Sequence, residues 1–311
     1  MITGLLACGP ATIEFTDEPK DVATDSGEAD ADADADADTD ADADADSDAD
    51  TDTDTDADDA CPAFHLLADD SILLDYGASI DAYDASLGAY GGANVTSAAT
   101  LAVNATSSCA FNTSATVSGS VWIGAGGDVA TAACYGWGGS VTGSVDVLAA
   151  EEPLKDVLEP TGLPASSGAA RAGWGESVSI APDAVYDSLT VDYGGVLTVS
   201  GAGYLVVTGA ASVSGTFVTP VGGTVDLYVQ QDVSVGWGGT LNNGGSPTDL
   251  RIHLVNGSDV TVANGGAAVA MFDGPAGTFS NAGTLYGTVT ARDYHAGWGG
   301  VLHGDDSVLC P

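Results

Sequence analysis

Basic residues are nearly missing from this chain. Five Lys and Arg stand against 45 Asp and Glu over 311 residues, a net charge of −40. So few cations cannot displace the counterions of a phosphate backbone, which excludes nucleic acid as a partner. The same deficit disfavours adsorption to an anionic membrane surface. No run reaches 18 apolar residues, so no segment can span a bilayer as a helix. Amphipathic helical periodicity is lacking as well. The best helical candidate, Glu151 to Leu158, is confined to a turn or two by Pro153 and Pro160. There is no Gly-x-Ser-x-Gly elbow to hold a nucleophile and no Cys-x-x-Cys or Cys-x-x-His pair to hold zinc. No cofactor is expected.

What is present is unevenly placed. Between Asp21 and Asp59 there are 19 acidic residues and no basic one, with Asp at almost every second position from Asp30 to Asp58. Alternating Asp with Ala or Thr buries nothing, and its carboxylates repel, so the segment is expected to be a disordered, extended tether. About 40 such residues reach roughly 100 Å. An EF-hand reading fails, because that loop needs Gly at its sixth position and Glu at its twelfth, and Asp30 to Asp59 has neither. From Ala60 onward 23 acids face Lys155, Arg171, Arg251 and Arg292. The chain thus divides into residues 1–8, a tether at 9–59, and a head at 60–311 with an irregular connection at about 149–173.

Leu5-Leu6-Ala7-Cys8 resembles a bacterial lipobox, followed by Gly9, Pro10 and the polar tether. Met1 to Gly4 supplies neither the basic nor the apolar part of a signal segment, so the expectation is a leader that begins upstream of Met1. Acylation of Cys8 would anchor the chain in the bacterial envelope, as an outer-membrane or surface lipoprotein. Cys61, Cys109, Cys134 and Cys310 then remain, an even number in an exported chain, which points to disulfides.

The head reads as all-β. Short runs of Val, Ile, Leu, Thr and Ser alternate at period two and are cut by Gly or Asn every 8–12 positions. Apolar-x-Gly-(Ser/Thr)-apolar recurs at Val117, Val141, Val213 and Leu285, spaced by 24, 72 and 72 residues. A period in the twenties with scarce helix predicts a β-helix, a single-stranded solenoid of about nine or ten coils sharing one core. A β-sandwich is the alternative. In that register Cys109 and Cys134 fall on adjacent coils and are expected to pair. Cys61 and Cys310 pair by elimination, provided the two ends of the head meet.

Ile80-Asp-Ala-Tyr-Asp-Ala-Ser-Leu-Gly-Ala-Tyr-Gly-Gly92 resembles the opening signature of an uncharacterised β-helical domain of bacterial envelope and pilus-associated proteins. Thr224 to Val235 with Leu241 to Ile252, and the closing Val301-Leu-His-Gly-Asp-Asp306, are similar to later parts of the same family. Gly-Trp-Gly-Gly corners and the extra cysteines depart from its pattern. The resemblance implies a right-handed β-helix at the cell envelope and implies no enzyme activity.

Two constellations are candidates for function. Trp137, Trp174, Tyr193, Trp237 and Trp298 each sit in a Gly-rich corner. On one exposed face they would form a platform for sugar rings; otherwise they cover their own glycine backbone. His295, His303 and Asp305, with Asp293 and Asp306, carry metal-capable groups, but a hydrogen-bonded terminal cap is the expected role and no metal site is assigned. His253 alternates outward and reads as surface, and Arg251 and Arg292 have Asp249 and Asp293 as candidate partners. No persistent column of Thr is expected. The expected function is a tethered structural or adhesive protein, binding a glycan, matrix component or protein, with self-association through open solenoid ends. The alternative is a carbohydrate-active enzyme, a lyase or hydrolase, in which Asp, His and Arg would converge in a cleft.

Overall fold

The structure, a computed structural model, describes residues 63–310. Cys8 and its lipobox-like neighbours, the tether at 9–59 and Cys61 lie outside the described residues. Short strands dominate, and every strand pairing but that of Ser79–Tyr83 with Val95–Thr96 is parallel among the described residues. The arrangement is compatible with an all-β solenoid.

The pairings resolve into three columns of ten strands. Column A runs from Ala169–Ala172 through Ser188–Val191, Ala211–Val213, Val233–Val235 and Val260–Val262, then 278–281, 293–296 and 71–74, to Phe111–Thr113 and Ala133–Tyr135. Column B follows each of these strands in the chain, from Ser177–Ile180 to Ser140–Val141. Column C completes each coil, from Ala184–Tyr186 to Val145–Val147. We number the rungs 1 to 10 in the order of column A. Neighbouring rungs are about 4.8 Å apart, the spacing of hydrogen-bonded strands.

Rung order is not chain order. Rungs 1 to 6 belong to the second half of the head, and rungs 8 to 10 to the first. Rung 7 is shared: 293–296 and Val301–Asp305 supply columns A and B, and 66–68 supplies column C. The head therefore begins in the middle of the stack, and its last coil is closed by its first strand. Residues 149–168 carry no strand or helix, and a strand begins at Ala169, inside the expected connection. This segment leaves rung 10 and returns along the outside of column C to rung 1. Glu152 exchanges hydrogen bonds with Asn104 (2.9 and 3.1 Å) near rung 8, and Glu159 accepts one from Gln230 (2.6 Å) near rung 3. The three prolines of 149–168 suit a strap that needs no ladder hydrogen bonds. The helical turn expected at Glu151 to Leu158 does not form.

Inward side chains align into ladders. Leu205, Leu227, Ile252, Phe272, Val289, Leu66, Leu101 and Val121 occupy successive rungs of column C, none more than 2% exposed. Each such side chain stabilises the stack by about 1.5–3 kcal/mol when fully buried. The ladder crosses the junction between Val289 and Leu66 without interruption, so burial holds the chain's two ends together.

The expected period is only locally real. Val117 pairs with Val141 and Val121 with Val145, both steps of 24 residues and both one coil. Val213 lies in column A and Leu285 in column B, so the two spacings of 72 relate different positions of the coil. Coils run from 15 residues, between Asn281 and Ala296, to 39, between Leu74 and Thr113. Cys109 and Cys134 form the disulfide that their spacing predicts, with Cα atoms 5.0 Å apart on adjacent rungs. Cys310 is also disulfide-bonded.

Candidate functional site

Every aromatic corner singled out in the sequence falls at one place in the coil, the turn from column A to column B. Trp174 is on rung 1, Tyr193 on rung 2, Trp237 on rung 4, Trp298 on rung 7 and Trp137 on rung 10. Tyr76, on rung 8, is a sixth that sequence reasoning missed. Its signal was present, because Asp75-Tyr76-Gly77 has the same form as Asp192-Tyr193-Gly194. All six rings stand on one edge of the stack, from 52% exposed for Tyr76 to 80% for Trp137.

The glycine beside each ring explains the shape of the edge. Gly194, at φ +72°, lies under Trp174, and a Cβ there would stand 3.5 Å from the indole. Gly265, at φ +77°, lies under Trp237 so closely that a Cβ would come within 2.7 Å. Glycine supplies both the left-handed turn and the room for a flat ring. Tyr193 reaches across rung 3 to stack on Trp237 (6.1 Å, 11°), and Tyr76 reaches across rung 9 to Trp137 (5.0 Å, 31°). Trp174, Tyr193, Trp237, Trp298 and Tyr76 thus lie against corner glycines, and all six rings remain exposed.

Small polar residues flank the edge. The outward position of column A carries Thr190, Ser212, Ser234, Thr261 and Ser280 on rungs 2 to 6. The first outward position of column B carries Thr216, Thr240 and Thr284 on rungs 3, 4 and 6, then Ser79, Thr116 and Ser140 on rungs 8 to 10. No all-threonine column forms, but mixed hydroxyl rows do. Paired side chains border the same edge: Arg171 donates to Asp192 at 2.7 Å, and His295 meets Asp75 at 3.0 Å.

The metal-capable residues separate. His295 sits on column A with Asp75. His303 pairs with Asp81 across neighbouring rungs 7 and 8 of column B, sandwiched by Tyr90 (3.6 Å) and Tyr286 (4.9 Å). Asp81 also accepts from the Tyr90 hydroxyl at 2.7 Å, and burial, with that hydrogen bond, pushes the phenol up to about 12. Asp305 is fully buried and accepts from the amides of Ala85 and Ser307, both at 3.0 Å. Among the described residues no three His, Cys, Asp or Glu side chains converge as a metal site. The segment Ile80 to Gly92 and the closing Val301 to Asp306 therefore form a clasp between the first and last coils.

A second feature lies on column C. The strap covers a cleft of about 470 Å³ lined in part by Phe64, Lys155, Arg251, His253, Met271 and Asp273. His253 is not the free surface residue expected. It is 19% exposed, stacked on Tyr228 (4.6 Å), with Nε2 3.2 Å from Asp226 and Nδ1 3.8 Å from Asp273. Burial opposes its charge, but the hydrogen bonds and charges of the two aspartates outweigh that, and its pKa rises above the ordinary value. Asp249 is buried and accepts from the amides of Gly222 (3.1 Å) and Ser246 (2.8 Å), while Arg292 does pair with Asp293 (2.9 Å). No family model matches the chain, and neither a curated protein nor a solved structure matches it.

Proposed function

We propose that the chain is a tethered binding protein of the bacterial envelope whose head is a right-handed β-helix of ten coils. Cys8 would carry the lipid anchor, the acidic run would hold the head away from the membrane, and the aromatic edge would bind glycan. One observation carries this reading: six exposed rings share a single edge, framed by hydroxyl rows and carboxylates. Aromatic faces are electron-rich and receive the C–H face of a pyranose, while flanking hydroxyls and carboxylates match its hydroxyl groups. Resemblance of Ile80 to Gly92 to an envelope β-helix family supports the location. Glycan-array binding by the full chain is the test. Trp237→Ala and Trp298→Ala should each weaken binding while leaving the β-sheet circular dichroism intact; unchanged binding in both contradicts the reading.

The cleft favours a second reading, a carbohydrate-active enzyme, because Arg251, His253 and Asp273 meet there. Weighing against it, both ring nitrogens of His253 face the protein's own carboxylates, Asp226 at 3.2 Å and Asp273 at 3.8 Å. Release of reducing or unsaturated sugar ends, abolished by Asp273→Asn, would establish the enzyme.

A further inference from the structure

The aromatic edge is built twice. Rungs 1 to 4 present Trp174, then Asp192-Tyr193, then Ser214, then Trp237. Rungs 7 to 10 present Trp298, then Asp75-Tyr76, then Ser114, then Trp137. The contacts repeat along with the residues. Trp174 lies over Gly194 and Trp298 over Gly77, where a Cβ would meet the indole at 3.5 and 3.1 Å. Tyr193 reaches Trp237 and Tyr76 reaches Trp137, each across the serine rung. Even the bordering side-chain pair recurs. Arg171 of rung 1 holds Asp192 of rung 2, and His295 of rung 7 holds Asp75 of rung 8. Rungs 5 and 6, with Asn264 and Ala282 at the same corner, carry no ring and separate the two sets.

Chain order hides the repeat. The second set takes its first rung from Ala296-Gly297-Trp298-Gly299 and its remaining three from residues 74–139, so it exists only because 66–68 closes the seventh coil.

We propose that the head carries two equivalent glycan sites, six rungs or about 29 Å apart, which together grip one neutral linear polysaccharide lying along the stack. This rests on the glycan reading of the edge. The polymer runs along the stack because both sets are translated along it. Each pyranose of an extended chain advances by close to one rung, so a set spans about four sugars and both sets about ten. The ligand is uncharged because each set presents a carboxylate, Asp192 or Asp75, on a head of net charge −19 from Ala60 onward, which repels uronates and sulfated glycans.

The test is isothermal titration of the full chain with β-1,4-linked glucose and N-acetylglucosamine oligomers of graded length. Four-sugar oligomers should bind weakly at two per head, and Tyr193→Ala or Tyr76→Ala should each reduce that to one. Oligomers of ten or more sugars should bind at one per head and about 100-fold more tightly, a gain lost in either variant. Asp192→Asn and Asp75→Asn, which keep the rings, should weaken the same two sites separately. Binding at one short oligomer per head, or no step in affinity with length, overturns the paired sites while leaving the glycan reading standing. Absence of binding at every length overturns both.

Discussion

His65 shows how far burial alone governs a single side chain. It is fully buried, and its Nδ1 accepts the amide of Thr100 at 3.0 Å, which leaves the proton on Nε2. Nε2 lies 3.1 Å from Asp306 Oδ1 but outside hydrogen-bond geometry. Desolvation therefore dominates over the raising effect of Asp305, and the imidazole pKa falls to about 4. Between pH 6.5 and 4 the unfolded chain binds a proton at His65 that the folded chain does not. Stability from this group is thus complete above pH 6.5 and is lost as pH falls toward 4, to the extent of about 3 kcal/mol. His253 behaves oppositely, since its raised pKa favours the folded state at low pH and that contribution is lost as pH rises. Histidine NMR should show His65 neutral down to about pH 4 and His253 titrating above 6.5. Titration of His65 near 6.5 would contradict its buried environment.

At the scale of elements, strands and corners were legible because both are local. Period-two alternation marks a strand whatever its neighbours, and Gly beside an aromatic marks a turn. Pairing of Cys109 with Cys134 was legible for the same reason, since the steps of 24 at Val117 and Val121 are each a single coil. Partners between distant strands were not. Nothing local to Asp81 or His303 announces that they meet, because that contact depends on Ser79–Tyr83 pairing with Val301–Asp305. His253 was misjudged for a related reason: alternation correctly puts it outward, but the strap then covers it. Tyr76 was overlooked although its corner has the same sequence form as that of Tyr193.

Among the described residues the strands form one stack whose continuity runs through the junction of the head's first and last strands. Opening the strap should therefore matter less than its length suggests. A permuted chain that starts at Ala169, joins residue 310 to residue 63 by a flexible linker and ends at Leu148 keeps every strand pairing. It loses the strap's hydrogen bonds, each worth about 1 kcal/mol, and the disulfide of Cys310, whose closure the linker replaces, so Tm should fall by less than about 10 °C. Failure to regain a β-sheet spectrum would refute the rung order. The proposed glycan-binding edge depends on the same continuity, because Trp298 and Tyr76 become neighbours only across the junction. Acrylamide quenching of tryptophan fluorescence, with and without a long neutral β-1,4-glycan, tests the aromatic edge most directly. Four of the five tryptophans stand on that edge at 70–80% exposure, and Trp122 lies elsewhere, against Phe64. Saturating glycan should shield most of the quenchable emission, and Trp122→Phe should leave that change intact; quenching that glycan does not alter would contradict a glycan-binding edge.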